Sequence, residues 1–141
     1  MSLDRLFGVA GSALNAQTIR MNTTASNLAN ASSVAGSEGE AFRAKRAVFR
    51  ALVDDALTNP GAPTVGGVKV DAVVDDQAPV RKVYQPGNPM ADGEGYIYQS
   101  NVSEVGEMVD MMAAARSYQN NVEVINTARQ LLMKTLDASK A

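Results

Sequence analysis

The chain has 141 residues, which suits a single domain, either compact or elongated. Its formal net charge of −2 argues against nucleic acid as the main partner, because phosphate binding needs a basic surface. There is no His and no Cys, which removes the commonest general base, the usual nitrogen and sulfur metal ligands, and any disulfide. We therefore expect no catalytic site, no cofactor, no metal and no small-molecule substrate.

Export and membrane signals are absent from the sequence. No run of about 18 apolar residues is present, so we expect no membrane span. The first residues, MSLDRLFGVAGSALNAQ, lack the cationic start and long apolar core of a cleaved secretory signal. A cytoplasmic location follows, unless the protein leaves the cell by a route that needs no such signal.

The positions of proline divide the chain into three regions. All five prolines lie between positions 60 and 89, whereas residues 12–35 and 107–141 contain neither Gly nor Pro. The two ends are therefore expected to be helical and the middle irregular and β-rich. We predict an N-terminal helix within 1–35, a loop and small β-rich region over 36–100, and a C-terminal helix within 101–141.

The N-terminal region has apolar and small residues at alternating spacings of four and three, which is typical of a heptad seam. The seam positions are Leu3, Phe7, Ala10, Leu14, Gln17, Met21, Thr24, Leu28 and Ala31. One register is strongly apolar and the other is small or polar. A helix of this length spans about 45 Å at 1.5 Å per residue.

The C-terminal region repeats this spacing from about residue 102 to 138. Its predicted seam consists of Met108, Met111, Ala115, Tyr118, Val122, Ile125, Arg129, Leu132 and Leu136. Arg129 is the one charged position in that series. Asn101 followed by Glu104 resembles a capping box, so we expect the helix to begin just after Asn101.

Two seams of similar length at opposite ends of one chain suggest that the helices pair. We predict a mainly α protein with a small β part, in which the terminal helices form an antiparallel coiled coil and the middle is rich in β-hairpins. The alternative is a pair of amphipathic helices packed on an ordinary globular core.

The middle region alternates apolar and polar residues in places, which indicates short strands. Three strands are expected, in residues 68–74, 78–84 and 95–98. Residues 41–52 fit either a strand or a helix. The sequence QPGNP at 85–89 indicates a turn, and residues 57–67 indicate a flexible loop.

The outer positions of both helices are unusually poor in charge. Between Ser12 and Ala35 the one charged residue is Arg20. Asn, Thr and Ser are weaker helix formers than Lys and Glu, but they enter a protein contact at lower cost than a charge. We infer that the helices are packed on more than one side, with the additional neighbours supplied by other copies or other subunits. A plain Asn- and Thr-rich surface is the alternative.

Several stretches resemble the bacterial flagellar rod and hook family, in its basal-body rod branch. They are AGSALNAQTIRMNTTASNLANASS near the start, FRAKRAVF at 42–49, YQPGNPMADGEGYIYQSNV at 84–102 and EMVDMMAAARSYQNNVEVINTARQLLMKTL at the end. The resemblance covers nearly the whole chain and is weakest at 50–66. The family's Asn-Thr-x-Gly-Tyr turn is absent after Asn30, and Asn88 stands where His is expected.

The resemblance implies a structural subunit of the flagellar axle, in which paired terminal helices line a hollow tube. It implies export by the flagellar type III apparatus, assembly in the periplasm, and contacts with other rod subunits, copies of itself, the export gate and the basal rings. The family's asparagine motifs add four positions to the seam. The expected subunit and coiled-coil interface is Leu3, Phe7, Leu14, Met21, Asn27, Leu28, Asn30, Met108, Met111, Tyr118, Asn121, Val122, Ile125, Asn126, Arg129, Leu132 and Leu136.

Other functions stay open at the level of sequence. The chain also fits another rod or hook subunit, although such relatives usually carry a larger middle domain. A secreted coiled-coil protein that binds a soluble partner is a further alternative. Assembly into filaments, as opposed to a complex of fixed stoichiometry, would distinguish the first class from the second.

Overall fold

The computed structural model of the chain describes residues 3–52 and 66–140. A long helix lies at each end of the chain, with short strands between them, so the predicted element types are confirmed. The helices are α1, Leu3–Ala29, and α2, Glu104–Lys140. The strands are β1, Val34–Ala35; β2, Lys45–Leu52; β3, Gly67–Asp75; β4, Arg81–Tyr84; and β5, Tyr96–Gln99. Most of the loop expected at 57–67 lies outside the described residues.

Side chains cap the C-terminal end of α1 and the N-terminal end of α2. At the end of α1, the Asn30 side-chain amide donates to the Ser26 carbonyl at 2.8 Å, which satisfies one of the last free acceptors of the helix. At the start of α2, Ser103 is the N-cap, because its Oγ accepts from the Gly106 N–H at 3.3 Å. The predicted cap at Asn101 is therefore wrong by two residues.

Asn101 instead ties the middle region together. Its Oδ1 accepts from the backbone N–H of Ala44 at 2.7 Å, and its Nδ2 donates to the Ala78 carbonyl at 2.8 Å. One amide side chain thus connects the segment before β2 with the segment before β4. Asparagine suits this position because its short side chain offers a donor and an acceptor in one group.

The strands form two small antiparallel sheets. One sheet has the order β1-β5-β4, with Val34 opposite Gln99 and Tyr84 opposite Tyr96. The other consists of β2 and β3 alone, with Lys45 opposite Asp75, and is called the hairpin below. The three predicted strands are confirmed, and the ambiguous stretch at 41–52 contains strand β2. Strand β1 was not predicted, because two residues are too few to show an alternating pattern.

The two helices pack side by side in opposite directions. Ser32, just after α1, bonds Glu104 at the start of α2 at 3.3 Å, and Arg20 pairs with Asp110 at 2.9 Å. At the other end, Leu6 lies beside Val124 of α2. The hairpin packs on a second side of α1, where the Val68 N–H donates to Ser12 Oγ at 3.1 Å. The inference of helices packed on more than one side thus holds for α1, but its second neighbour comes from the same chain.

Alanine dominates the buried apolar positions. Most buried hydrophobic residues are small: Ala10, Ala16, Ala31, Ala35, Ala41, Ala44, Ala114 and Ala128, with Ile97 and Val102 as the larger members. Small side chains let helix axes approach closely, since the interaxial distance depends on the side chains at the contact. A single copy therefore buries few large apolar side chains.

The burial of α1 follows the predicted series only in part, because Ala16 and Asn27, its most deeply buried residues, each lie one residue before a predicted position. Ala10, Thr24 and Ala31 are buried, and the larger apolar positions with a described side chain are half-buried. These half-buried positions are Phe7, Leu14, Met21 and Leu28. The side chain of Leu3 lies outside the described part of the structure.

The α2 seam differs from the predicted one in one of its two registers. The half-buried series Met111, Tyr118, Ile125 and Leu132 agrees with the prediction. The other series lies one residue earlier than expected and consists of Glu107, Ala114, Asn121 and Ala128. Met108, Arg129 and Leu136 are exposed in the single chain, whereas Glu107 and Ala128, one residue before Met108 and Arg129, are buried. Ala115 and Val122 lie at its margin. The corrected seam has no break at Arg129.

Candidate functional site

A buried polar junction holds the two helices and the hairpin together. The Glu107 side chain of α2 is only 2% exposed, and both of its carboxylate oxygens accept hydrogen bonds. Asn27 of α1 donates from Nδ2 to one oxygen at 3.0 Å, and Arg46 of β2 donates from Nη1 to the other at 2.7 Å. A buried carboxylate is tolerated only when it is paired in this way. The junction therefore fixes three elements relative to one another.

Asn27 completes the junction through the backbone of β2. Its Oδ1 accepts from the Lys45 N–H at 2.8 Å, and its Nδ2 donates to the Lys45 carbonyl at 2.9 Å. The side-chain amide thus takes the place of a neighbouring strand at the start of β2. Sequence resemblance had singled out Asn27, whereas Glu107 was missed because hydrophobic periodicity ignores a charged residue.

A second set of charges surrounds the junction nearer to solvent. Arg20 pairs with Asp110 at 2.9 Å, and Arg46 also lies 3.4 Å from Asp76 and 3.8 Å from Asp110. The pKa of Asp76 lies below its ordinary value, mainly because its carboxylate accepts a hydrogen bond from the Ala78 N–H. The nearby Arg46 guanidinium lowers it further. Because these side chains are about one-third to one-half exposed, their pairing orients the hairpin more than it stabilises the fold.

The remaining predicted asparagines have separate environments. Asn121 lies against Ala10 in the seam and donates from Nδ2 to the Ser117 carbonyl of its own helix at 2.8 Å. Asn126 is exposed and lies beside Arg129 on the outside of α2. Asn30 caps α1. The four asparagines thus do not form one site, and only Asn27 belongs to the junction.

The loop between β4 and β5 is organised around Asp92. Its Oδ1 accepts from the backbone N–H groups of Glu94 and Tyr96, both at 2.9 Å, and the Tyr96 bond is the main reason that the pKa of Asp92 is lowered. Lys82 lies 4.2 Å from the centre of the Tyr96 ring. The Asn88 N–H donates to the Gln85 carbonyl at 3.0 Å, which confirms the predicted turn.

The first half of α2 carries an exposed apolar surface that faces away from the seam. Val105, Met108, Val109 and Met112 are 74%, 54%, 55% and 64% exposed, respectively. Their spacing of three, four and seven residues puts them on one side of the helix. We call these four residues the stripe.

A second apolar surface lies at the opposite end of the helix pair. Leu6 of α1 and Val124 of α2 line two adjoining open clefts, one of which also contains Val9 and Ala10 and the other Ala128 and Leu131. Val9, Val124 and Leu131 are 42%, 44% and 57% exposed. We call these four residues, Leu6, Val9, Val124 and Leu131, the groove. Both surfaces are suited to contact with another protein rather than to chemistry.

Within residues 3–52 and 66–140, no cluster of three or more His, Cys, Asp or Glu side chains is arranged to hold a metal ion. Over the same residues, neither helix is long and apolar enough to cross a membrane.

Comparison with known proteins gives consistent matches along the chain. The family model described as flagella basal body rod protein matches residues 7–36, and the model of the flagellar basal body rod FlgEFG protein C-terminal region matches residues 94–138. The chain is 54% identical to the flagellar basal-body rod protein FlgC of Salmonella typhimurium over 136 residues, which cover 96% of this chain and 97% of that protein. It is 55% identical to the FlgC protein of Escherichia coli, also over 136 residues that cover 96% of this chain and 97% of that protein. The Buchnera aphidicola protein of the same name is 45% identical over 142 residues, covering 99% of this chain and all of that protein.

Proposed function

Because the chain belongs to the FlgC family of flagellar basal-body rod proteins and is a structural subunit of that rod, we propose that its helix pair is a coiled coil through which neighbouring subunits assemble. The observation that carries the function is the identity of 54–55% over nearly the full length of FlgC proteins. In this function the chain assembles with other rod components and performs no catalysis.

The coiled-coil part of the proposal is supported by the corrected seam. Glu107, Ala114, Asn121 and Ala128 are seven residues apart and face α1, with the Met111 series between them. A seven-residue period kept over three intervals is the pattern that makes two helices wind around each other. Because Ala114 and Ala128 are small, the axes of the two helices can approach closely at these positions.

The interface residues are proposed in two groups. Met111, Tyr118, Ile125 and Leu132 join the helices within one subunit, together with the α1 seam. Met108, Arg129, Leu136 and Asn126 are exposed in a single copy, so they are available to neighbouring subunits. Interface cores are poor in charge, which fits residues 117–128 of α2, where Glu123 is the one charged residue.

The location and route of the protein follow from the same proposal. The rod crosses the periplasm, and the chain reaches it through the flagellar type III apparatus without a cleaved signal peptide. The partners are other rod subunits, further copies of this chain, and the export-gate and ring components at the base. Torque from the motor then passes to the hook through these contacts.

Complementation of motility tests this function. In a flagellated strain that lacks its own FlgC protein, the wild-type chain should restore swarming and a complete rod in electron micrographs. Leu28→Asp places a charge in the half-buried α1 seam and should abolish swarming while export continues. The matched control is Ala29→Asp, at the exposed neighbouring position.

The outcomes separate the function from the seam assignment. If the wild-type chain fails to restore a rod although it is exported, the proposed function is wrong. If Leu28→Asp swarms as well as the wild type, the function stands but the seam assignment is wrong.

A further inference from the structure

We propose that the hairpin is a strap that controls the start of α2. While the hairpin is docked on α1, the first turns of α2 stay paired with α1, and when the hairpin leaves α1 they are released with it. All of the contacts involved lie within one chain and require no assembly, so the strap is independent of the proposed function.

The hairpin reaches across to α2 through one long side chain. In the described residues, no Cα atom of β2 or β3 lies within 8 Å of a Cα atom of α2. Arg46 spans this gap, because its Nη1 donates to Glu107 at 2.7 Å and lies 3.8 Å from Asp110. Both strands pack on α1 instead. The position of the Arg46 guanidinium relative to α2 therefore depends on the docking of the hairpin on α1.

Undocking of the hairpin removes partners from two buried side chains at once. Asn27 loses its bonds to both backbone groups of Lys45, and Glu107 loses the guanidinium that neutralises it. A carboxylate that has lost its cation is strongly unfavourable in a buried position. The Glu107 side chain then turns to water, which requires the first turns of α2 to move away from α1.

A second link joins the hairpin to the start of α2 at its base. Asn101, three residues before α2, accepts from the N–H of Ala44, directly before β2, at 2.7 Å. Its Nδ2 also donates to the carbonyl of Asp76, directly after β3, at 3.3 Å. These bonds do not involve α1, so a hairpin that leaves α1 draws the start of α2 with it.

The hairpin is built to move as one piece. Its two strands pair over their whole described length, from Lys45 opposite Asp75 to Leu52 opposite Gly67. Ion pairs across the strands join Lys45 to Asp75 at 3.0 Å and Arg50 to Asp71 at 2.7 Å. Cross-strand pairs of this kind stabilise a sheet along its length. A change at one end of the hairpin should therefore alter docking at the other end.

The far end of the hairpin has its own contact with α1. The Val68 N–H donates to Ser12 Oγ at 3.1 Å. Ser12 and Asn27 are 15 residues apart on α1, which is about 22 Å along the helix. The strap thus predicts that loss of the bond at Ser12 is felt at the start of α2.

The stripe depends on the strap. Met108 and Val109 directly follow Glu107 in sequence, and Asp110, which Arg46 also approaches, comes next. These residues lie in the turns of α2 that the hairpin holds. The stripe is therefore a fixed surface of the helix pair while the hairpin is docked, and it loses its place when the hairpin leaves.

Hydrogen exchange in the purified full-length chain tests the strap at the junction. Arg46→Met removes the link to Glu107 and keeps the aliphatic stem. The backbone amides of residues 108–112 should exchange at least about tenfold faster, because a hydrogen bond to a buried charged group is lost. The matched control is Arg50→Met on the same strand, whose pairing with Asp71 stays within the hairpin. It should change these rates by less than about twofold.

A change at the far end of the hairpin tests the transmission. Ser12→Ala leaves the Val68 N–H without its acceptor, and residues 108–112 should exchange about fivefold faster although they are remote from Ser12. The matched control is Thr18→Ala on the same helix, where the hydroxyl donates to the Leu14 carbonyl of α1 itself at 2.9 Å. The amides of β5, in the other sheet, are the internal reference and should keep their rates.

The outcomes decide for or against the strap. Faster exchange at residues 108–112 after Ser12→Ala, with unchanged rates in β5 and after Thr18→Ala, supports it. Wild-type rates at 108–112 after Ser12→Ala overturn it, and so does an equal acceleration in β5, which would indicate unfolding of the whole chain. Exchange at 108–112 as fast as in an unstructured peptide in the wild-type chain would show that nothing holds the start of α2. If Arg46→Met fails to fold, Ser12→Ala alone decides.

Discussion

Glu107 is the residue in which burial and charge oppose each other most strongly. Its carboxylate is removed from water, and the hydrogen bonds from Asn27 and Arg46 offset that cost. Glu107→Ala leaves both donors without their acceptor, and we expect the free energy of unfolding to fall by about 2–3 kcal/mol. The value is below that of fully buried ion pairs because the Arg46 side chain is 44% exposed and regains water. Urea denaturation followed by circular dichroism measures it.

The control for this prediction is Glu123→Ala on the same helix. Glu123 is exposed, so its removal should change the free energy of unfolding by less than about 0.5 kcal/mol. Equal losses for the two variants would mean that Glu107 contributes only its helix propensity and no junction.

Gly95 is required by the backbone of the loop before β5. Its φ of +83° lies in the left-handed region, and an added Cβ would lie 3.0 Å from both Pro86 Cβ and Tyr84 Cε2. Gly95→Ala should therefore cost at least about 1–2 kcal/mol of unfolding free energy. The control is Gly93→Ala in the same loop, where an added Cβ meets nothing within 4 Å. Thermal unfolding of the two variants side by side measures the difference, and equal melting temperatures would contradict the prediction.

At the scale of elements, the helix pair depends on small residues at the contact. Ala114 is fully buried between the helices, whereas Ala113 is exposed. Ala114→Leu forces additional volume into a close contact, which should cost about 1–3 kcal/mol. Ala113→Leu should be nearly neutral. Chemical denaturation distinguishes the two. If Ala115→Leu is the most damaging of the three variants, the seam has the register first predicted from sequence.

The two helices show how far hydrophobic periodicity predicts a contact. In α1 it finds the buried Ala10, Thr24 and Ala31 but misses Ala16 and Asn27, which lie one residue before the predicted positions Gln17 and Leu28. In α2 it favours Met108 and Val122 over Glu107 and Asn121, since the true seam is partly polar. The pairing of Glu107 with Arg46 joins residues 61 apart in sequence, and no local pattern reveals it.

The middle region separates local from tertiary information in the same way. Alternation of apolar and polar residues in β3, β4 and β5 is visible in the sequence, so those strands are predicted. The docking of the hairpin on α1 depends on contacts such as Ser12 with Val68 and Asn27 with Lys45. These bonds involve single polar side chains far apart in sequence, for which the chain has no periodic signal.

At the scale of the whole molecule, the single chain leaves much of its apolar surface uncovered. Among the largest fully buried side chains, Ile97 is the only large apolar residue in the part that the structure describes. Many Val, Leu and Met side chains on α2 are at least 44% exposed instead. Because folding free energy comes mainly from apolar burial, assembly should add stability that one copy lacks. The exposed apolar side chains of one copy are therefore available for contact with neighbouring subunits.

The end of α2 provides the sharpest separation of fold from assembly. Beyond Leu132 every position up to Ser139 is exposed, and this includes Met133 and Leu136 at 56% and 52%. Removal of residues 133–141 should therefore change the free energy of unfolding of the isolated chain by less than about 0.5 kcal/mol, as for other exposed positions. It should abolish motility, because the apolar side chains of this segment contribute only when another subunit covers them. Urea denaturation and swarming assays on the same variant measure both effects. A large loss of stability would show that the segment packs within its own chain, and retained swarming would show that the rod does not use it.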